Sequence, residues 1–151
     1  MAMSLQEISD RREIQDLMVR YSYAIDTRNW DALDDVFTPD AHIDYSVFGG
    51  SVGNLTETKE FLAGAMPMFT TLQHMVSGTT LTFHGGDVPD SADAKTQCHN
   101  PMTMGDADDP DLMVCGLWYV DKLVRTDEGW RIKERVEEKV YMRVFPGKQS
   151  S

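Results

Sequence analysis

Apolar side chains recur at helical spacing near the start of the chain, where Ile14, Leu17, Met18, Tyr21 and Ile25 form one stripe. Ser4-Leu5-Gln6-Glu7 has capping-box spacing, so a first helix is predicted to start there and run to about Asp26 or Thr27. Trp30, Leu33 and Phe37 predict a second, short helix. Thr38-Pro39-Asp40 closes it, because proline disfavours helix at itself and at the residue before. At His42 the period changes to two. Ile43, Tyr45 and Val47 face one way, and His42, Asp44 and Ser46 the other, as in a half-buried strand that ends at Gly49-Gly50. Asn54 and Glu57 cap a third helix whose apolar face is Phe61, Leu62, Ala65 and Met66. Everything after Phe69 reads as sheet, with strands near 72–76 and 79–84, broken around Ser77-Gly78, and further strands over 94–104, 112–125 and 130–144. Thr126-Asp127-Glu128-Gly129 supplies the hairpin between the last two.

Helices gathered at one end of the chain and antiparallel strands after them mean an α+β fold. The expectation is one domain over residues 1–151, a cone-shaped α+β barrel. Its three N-terminal helices would pack on a strongly curved, mixed but mostly antiparallel sheet and enclose a pocket, a usual place for a small-molecule site.

Composition narrows the partners. A 151-residue chain with 41% hydrophobic and 26% charged residues suits one ordinary globule. A net charge of −11 argues against nucleic acid and anionic membrane surfaces. No apolar run approaches the roughly 18 residues of a membrane span, and no signal peptide precedes the first helix, so a cytoplasmic location is expected. Cys98 and Cys115 lack the spacing of a disulfide framework or zinc site and read as buried free thiols. No cluster has metal-ligand spacing, no glycine loop opens a helix after a strand, and no G-x-S-x-G is present. No metal or other cofactor is expected.

Asp26 is the first candidate for chemistry. A carboxylate in the last turn of a helix faces the negative end of the dipole and needs a cation or proton partner, for which His74 and His99 are the candidates. Strand alternation puts Gln97, His99 and Pro101 on one face. His99 enters the pocket if that face is concave and lies on the surface if it is convex. His42 and His84 sit at strand ends and read as surface residues.

The motifs resemble a known family. Glu13-Ile14-Gln15-Asp16-Leu17, Tyr21, Asp26-x-Arg28-x-Trp30-Asp31-x-Leu33 and Phe37-Thr38-Pro39-Asp40-Ala41 are similar to the SnoaL-like branch of the nuclear-transport-factor-2-like superfamily. So are Gln73-His74-Met75-Val76-Ser77 and Asp127-x-Gly129-Trp130-Arg131-Ile132. Within that branch the chain resembles scytalone dehydratases, bile-acid dehydratases and hexachlorocyclohexane dehydrochlorinases, eliminating enzymes that pair an Asp at the end of the first helix with a His on the sheet. Asp26 and His74 match those positions, His99 matches a second histidine, and Tyr45 and Tyr21 match active-site tyrosines. Ile25 stands where scytalone dehydratases carry a tyrosine.

The resemblance implies a cofactor-independent lyase of dehydratase type, with His74 as base and Asp26 orienting it. A helix-to-sheet polar tie without chemistry is the alternative reading of the same pair. Tyr45 and Tyr21 would hold an enolate oxygen, and His99 would protonate the leaving group or share the base role. Asn100, Arg135, Trp30, Met66 and Met75 are the candidate substrate contacts, suited to a hydrophobic cyclic molecule. An isomerase or cyclase would use the same dyad, and a non-catalytic small subunit would share the fold. A homodimer or homotrimer is expected.

Overall fold

The computed structural model describes residues 2–148. Helix α1 spans Leu5–Asp26, with Ser4 accepting from the Glu7 N–H at its start. Its stripe Ile14, Leu17, Met18, Tyr21 and Ile25 is almost fully buried against the sheet. The expected second helix is a single 3-10 segment, Trp30–Asp35, capped by Asn29. Phe37 belongs instead to strand β1, Phe37–Asp44.

Pro39 sits inside β1, where the pairing with the last strand jumps from Phe37 opposite Ile132 to His42 opposite Glu134. The slack in that register is what tolerates a residue without an N–H. The strand also ends earlier than its alternation suggests. Asp44 Oδ1 accepts from the Ser46 N–H at 2.9 Å, which turns the chain into a 3-10 segment, Ser46–Phe48. Gly50 then passes so close that an added Cβ would meet Tyr45 Cβ at 2.7 Å. A short β2, Val52–Gly53, leads to α2, Leu55–Ala65, where Asn54 and Glu57 form a full capping box.

Strands β3 (Phe69–Leu72), β4 (Met75–His84), β5 (Ser91–Met104), β6 (Asp111–Thr126) and β7 (Gly129–Phe145) follow. The sheet runs β2-β1-β7-β6-β5-β3, with β4 beside β3 on the same edge of β5. Among the described residues only β1 and β7 pair in parallel. The architecture is α+β as expected, with helices packed on a mixed sheet. The sheet stays open, with β2 at one edge and β3 and β4 at the other, so the cone is not a closed barrel.

Two polar ties seat α1. Buried Asp10 accepts from Gln6, from Trp130 Nε1 at 3.1 Å and from Arg125 Nη2 at 2.8 Å. Burial pushes that carboxyl up, but the bonds from Arg125, Trp130 and Gln6 prevail and hold it below the usual range. Deeper in, Arg135 and Asp121 form a fully buried bidentate pair at 2.7 Å. The guanidinium is sandwiched 4.2 Å from the Tyr21 ring and 4.0 Å from the Tyr119 ring. Among the described residues no helix is long and apolar enough to cross a membrane.

Candidate active site

The end of α1 places Asp26. Asn29 N–H bonds to Ala24 O and Arg28 N–H to Ile25 O, a Schellman closure with Arg28 in the left-handed position at φ 55°. A non-glycine residue there is strained by on the order of 1 kcal/mol. The Arg28 side chain holds the geometry by donating to Phe69 O at 2.7 Å, which fastens the end of α1 to the start of β3.

The junction of β3 and β4 places His74. Leu72 lies opposite Met102 and Met75 opposite His99, so His74 falls opposite Asn100 on the inner face. The His74 N–H is directed at Asp26, reaching the two carboxylate oxygens at 2.9 and 3.1 Å. The ring follows, with Nδ1 2.6 Å from Oδ1. A carboxylate only accepts, so Nδ1 carries the proton and Nε2 is the basic nitrogen. The helix-end carboxylate therefore has its compensation in three N–H bonds from one residue.

Nε2 accepts from Asn100 Nδ2 at 2.9 Å, and both side chains line a cavity of about 470 Å³ between the helices and the sheet. Apolar groups make up most of the wall, Phe48, Phe61, Met66, Met113 and Met142 among them. Tyr21 and Tyr45 also line it, hydroxyl to hydroxyl at 2.7 Å. Their mutual bond uses one proton and leaves the other uncommitted to the pair. Burial pushes Tyr21 up to about 12, against the pull of Arg135, so both phenols stay neutral donors. Asp26 is not part of this wall. It stands behind His74 and faces a separate groove lined by Tyr23, Thr71 and Thr103.

A SnoaL-like domain matches residues 6–136. The chain belongs to the SnoaL-like family. It shares the cone fold of the nuclear-transport-factor-2-like superfamily. It is 44% identical over 143 residues to an uncharacterized protein of Mycobacterium tuberculosis, covering 95% of this chain and 94% of that one. A hexachlorocyclohexane dehydrochlorinase (LinA) type 2 structure superposes with a TM-score of 0.81 at 16% identity, covering 95% of this chain and 93% of the other. A candidate scytalone dehydratase from Novosphingobium aromaticivorans gives 0.79 at 20% identity, covering 96% and 95%. At such identities the two structures establish the SnoaL-like fold alone.

Of the residues expected from sequence, Asp26 and His74 meet, and Tyr21, Tyr45, Asn100 and Met66 share the cavity wall. Four others do not. His99 points to the opposite face of the sheet, where Nδ1 lies 2.6 Å from the Tyr141 hydroxyl. The pleat that turns Asn100 inward turns its neighbour outward. Met75, opposite His99, is exposed for the same reason. Arg135 is on the inner face but is buried against Asp121 and does not line the cavity. Trp30 packs against the core from the 3-10 segment and is also absent from the wall.

Sequence reasoning missed Glu137, which lies on the inner face of β7 and does line the cavity. It is two residues from Arg135, and strand alternation alone would have put both on one face.

Proposed function

We propose that this SnoaL-like protein is a cofactor-independent lyase of dehydratase type acting on a hydrophobic cyclic substrate. The observation that carries the reading is the 2.6 Å contact between Asp26 Oδ1 and His74 Nδ1, with Nε2 on the wall of an apolar cavity. Asp26 holds the tautomer and stabilises the imidazolium that forms. Nε2 takes a proton from the carbon beside a carbonyl, and the C–H electrons move towards the carbonyl. The uncommitted hydroxyl proton of the Tyr21–Tyr45 pair meets the charge that builds on that oxygen. The neighbouring C–O bond then breaks, leaving a double bond. Entry of the substrate displaces the Asn100 amide from Nε2. The volume suits a molecule of two or three fused rings, and the Met and Phe wall adapts to it.

The test uses a bicyclic β-hydroxy ketone that becomes a fluorescent naphthol on losing water. Wild-type protein should accelerate that loss. His74→Ala and Asp26→Asn should each lower the rate by about 10² to 10⁴-fold while remaining folded by circular dichroism. Turnover surviving both substitutions would overturn the assignment, and a rearranged ketone as product would mark an isomerase.

A further inference from the structure

Loss of water needs a second proton transfer, because the departing oxygen is a poor leaving group until it is protonated. His99, on the outer face, cannot supply that proton. The cavity wall offers the Tyr21–Tyr45 pair, Cys115 and Glu137. Burial holds the tyrosine protons tightly and pushes the Cys115 thiol up to about 11. Glu137 differs from all of them. It is a partly buried carboxyl on an apolar wall, and among the described residues no hydrogen bond or ion pair reaches it. The nearby cation Arg135 commits Nε and Nη2 to Asp121.

We propose that Glu137 is the catalytic acid of this cavity and gives its carboxyl proton to the leaving oxygen as the C–O bond breaks, after His74 has taken the proton from the adjacent carbon. The assignment rests on the reading of His74 as base. The atoms balance without any co-reactant. Nε2 gains the C–H proton, the C–H electrons become the new π bond, the C–O electrons leave with oxygen, and oxygen gains the Glu137 proton to depart as water. Imidazolium and carboxylate remain, and one proton returned from His74 to Glu137 through solvent resets the site.

Protonation at working pH is consistent with this role. Desolvation pushes the Glu137 carboxyl up, Arg135 pulls it down and Asp44 on β1 pushes it up again, leaving it at about 7. The other groups in its field are Tyr21 of α1, Tyr45 beyond β1, Cys98 of β5, and Cys115 and Tyr119 of β6. Burial raises all five, so they stay neutral while Glu137 titrates. His74 shares the cavity wall as the remaining titratable group.

The experiment compares two probes on one scaffold, the bicyclic β-hydroxy ketone and its β-acetoxy ester. Acetate leaves without a proton and hydroxide does not. Glu137→Gln should slow loss of water by about 10²-fold or more and change loss of acetate by less than about threefold, whereas His74→Ala should slow both. Equal slowing of both probes by Glu137→Gln, or slowing of neither, would overturn the acid. Loss of acetate undiminished in His74→Ala would instead overturn the base. A carboxyl ¹³C titration of the full chain, assigned by its absence in Glu137→Gln, adds a readout free of turnover. A midpoint near 7 supports the proposal, and one near 4.5 sinks it.

Discussion

The Asn100 amide donates to Nε2 of His74 over 2.9 Å, and its own Oδ1 is buried without a partner. The ring is therefore held at both nitrogens before any ligand arrives. When Nε2 takes a proton it becomes a donor, and half a turn of the amide would present the orphaned oxygen to it. Asn100→Ala should therefore lower kcat by about 10-fold while costing roughly 1 kcal/mol of stability. Steady-state kinetics on the bicyclic hydroxy ketone and a urea titration check the two effects. An unchanged kcat would make the amide a packing group.

Glu137 makes stability depend on pH. The folded protein keeps the carboxyl proton to about pH 7, whereas the unfolded chain releases it near 4.5. Between those values the folded state binds more protons, so stability falls as pH rises. The penalty is absent below the window and complete above it. Glu137→Gln should thus be neutral at pH 4 and raise stability by roughly 2 kcal/mol at pH 8. Denaturant midpoints at the two pH values measure this, and equal shifts at both would contradict it.

Arg135 and Asp121 are both fully buried, and among the described residues each is the other's ion-pair partner. Removing one partner strands the other. Asp121→Asn should cost about 3–5 kcal/mol, enough to lower the melting temperature by about 10 to 15 degrees. Little change in melting would show that the Tyr21 and Tyr119 faces suffice to hold the cation.

Tyr21 and Tyr45 share one hydrogen bond at 2.7 Å. Tyr21→Phe or Tyr45→Phe leaves a buried hydroxyl without its partner, at about 1–2 kcal/mol each. The double variant strands neither, so its cost should fall below the sum. Additive losses in that cycle would mean the two hydroxyls do not couple.

Much of this was legible in the sequence. The stripe from Ile14 to Ile25, the Asn54–Glu57 cap and the long alternating strands give the α+β fold directly. Asp26 and His74 emerge from a helix-end carboxylate in need of a proton partner together with the family resemblance. The direction of His99 was also readable. Asp93, Lys95 and Gln97 alternate with Ala92, Ala94, Thr96 and Cys98, and continuing that alternation turns Asn100 inward and His99 outward. The end of β1 was less accessible, because Val47 continues the apolar period while Asp44 has already turned the backbone. Alternation from Arg135 puts Glu137 on the same face, but with Glu134 and Glu138 beside it the pattern does not say which acid meets a cavity. Only the parallel pairing of β7 with β1, a long-range feature, shows how β7 sits among its neighbours.

The most direct measurement is the protonation pattern of the His74 ring, read by long-range ¹H–¹⁵N NMR at a pH where the imidazole is neutral. A base oriented by Asp26 predicts the proton on Nδ1 in wild-type protein and loss of that preference in Asp26→Asn. A proton on Nε2 in the wild type would leave the cavity facing a donor instead of a base, and would contradict the mechanism at its first step.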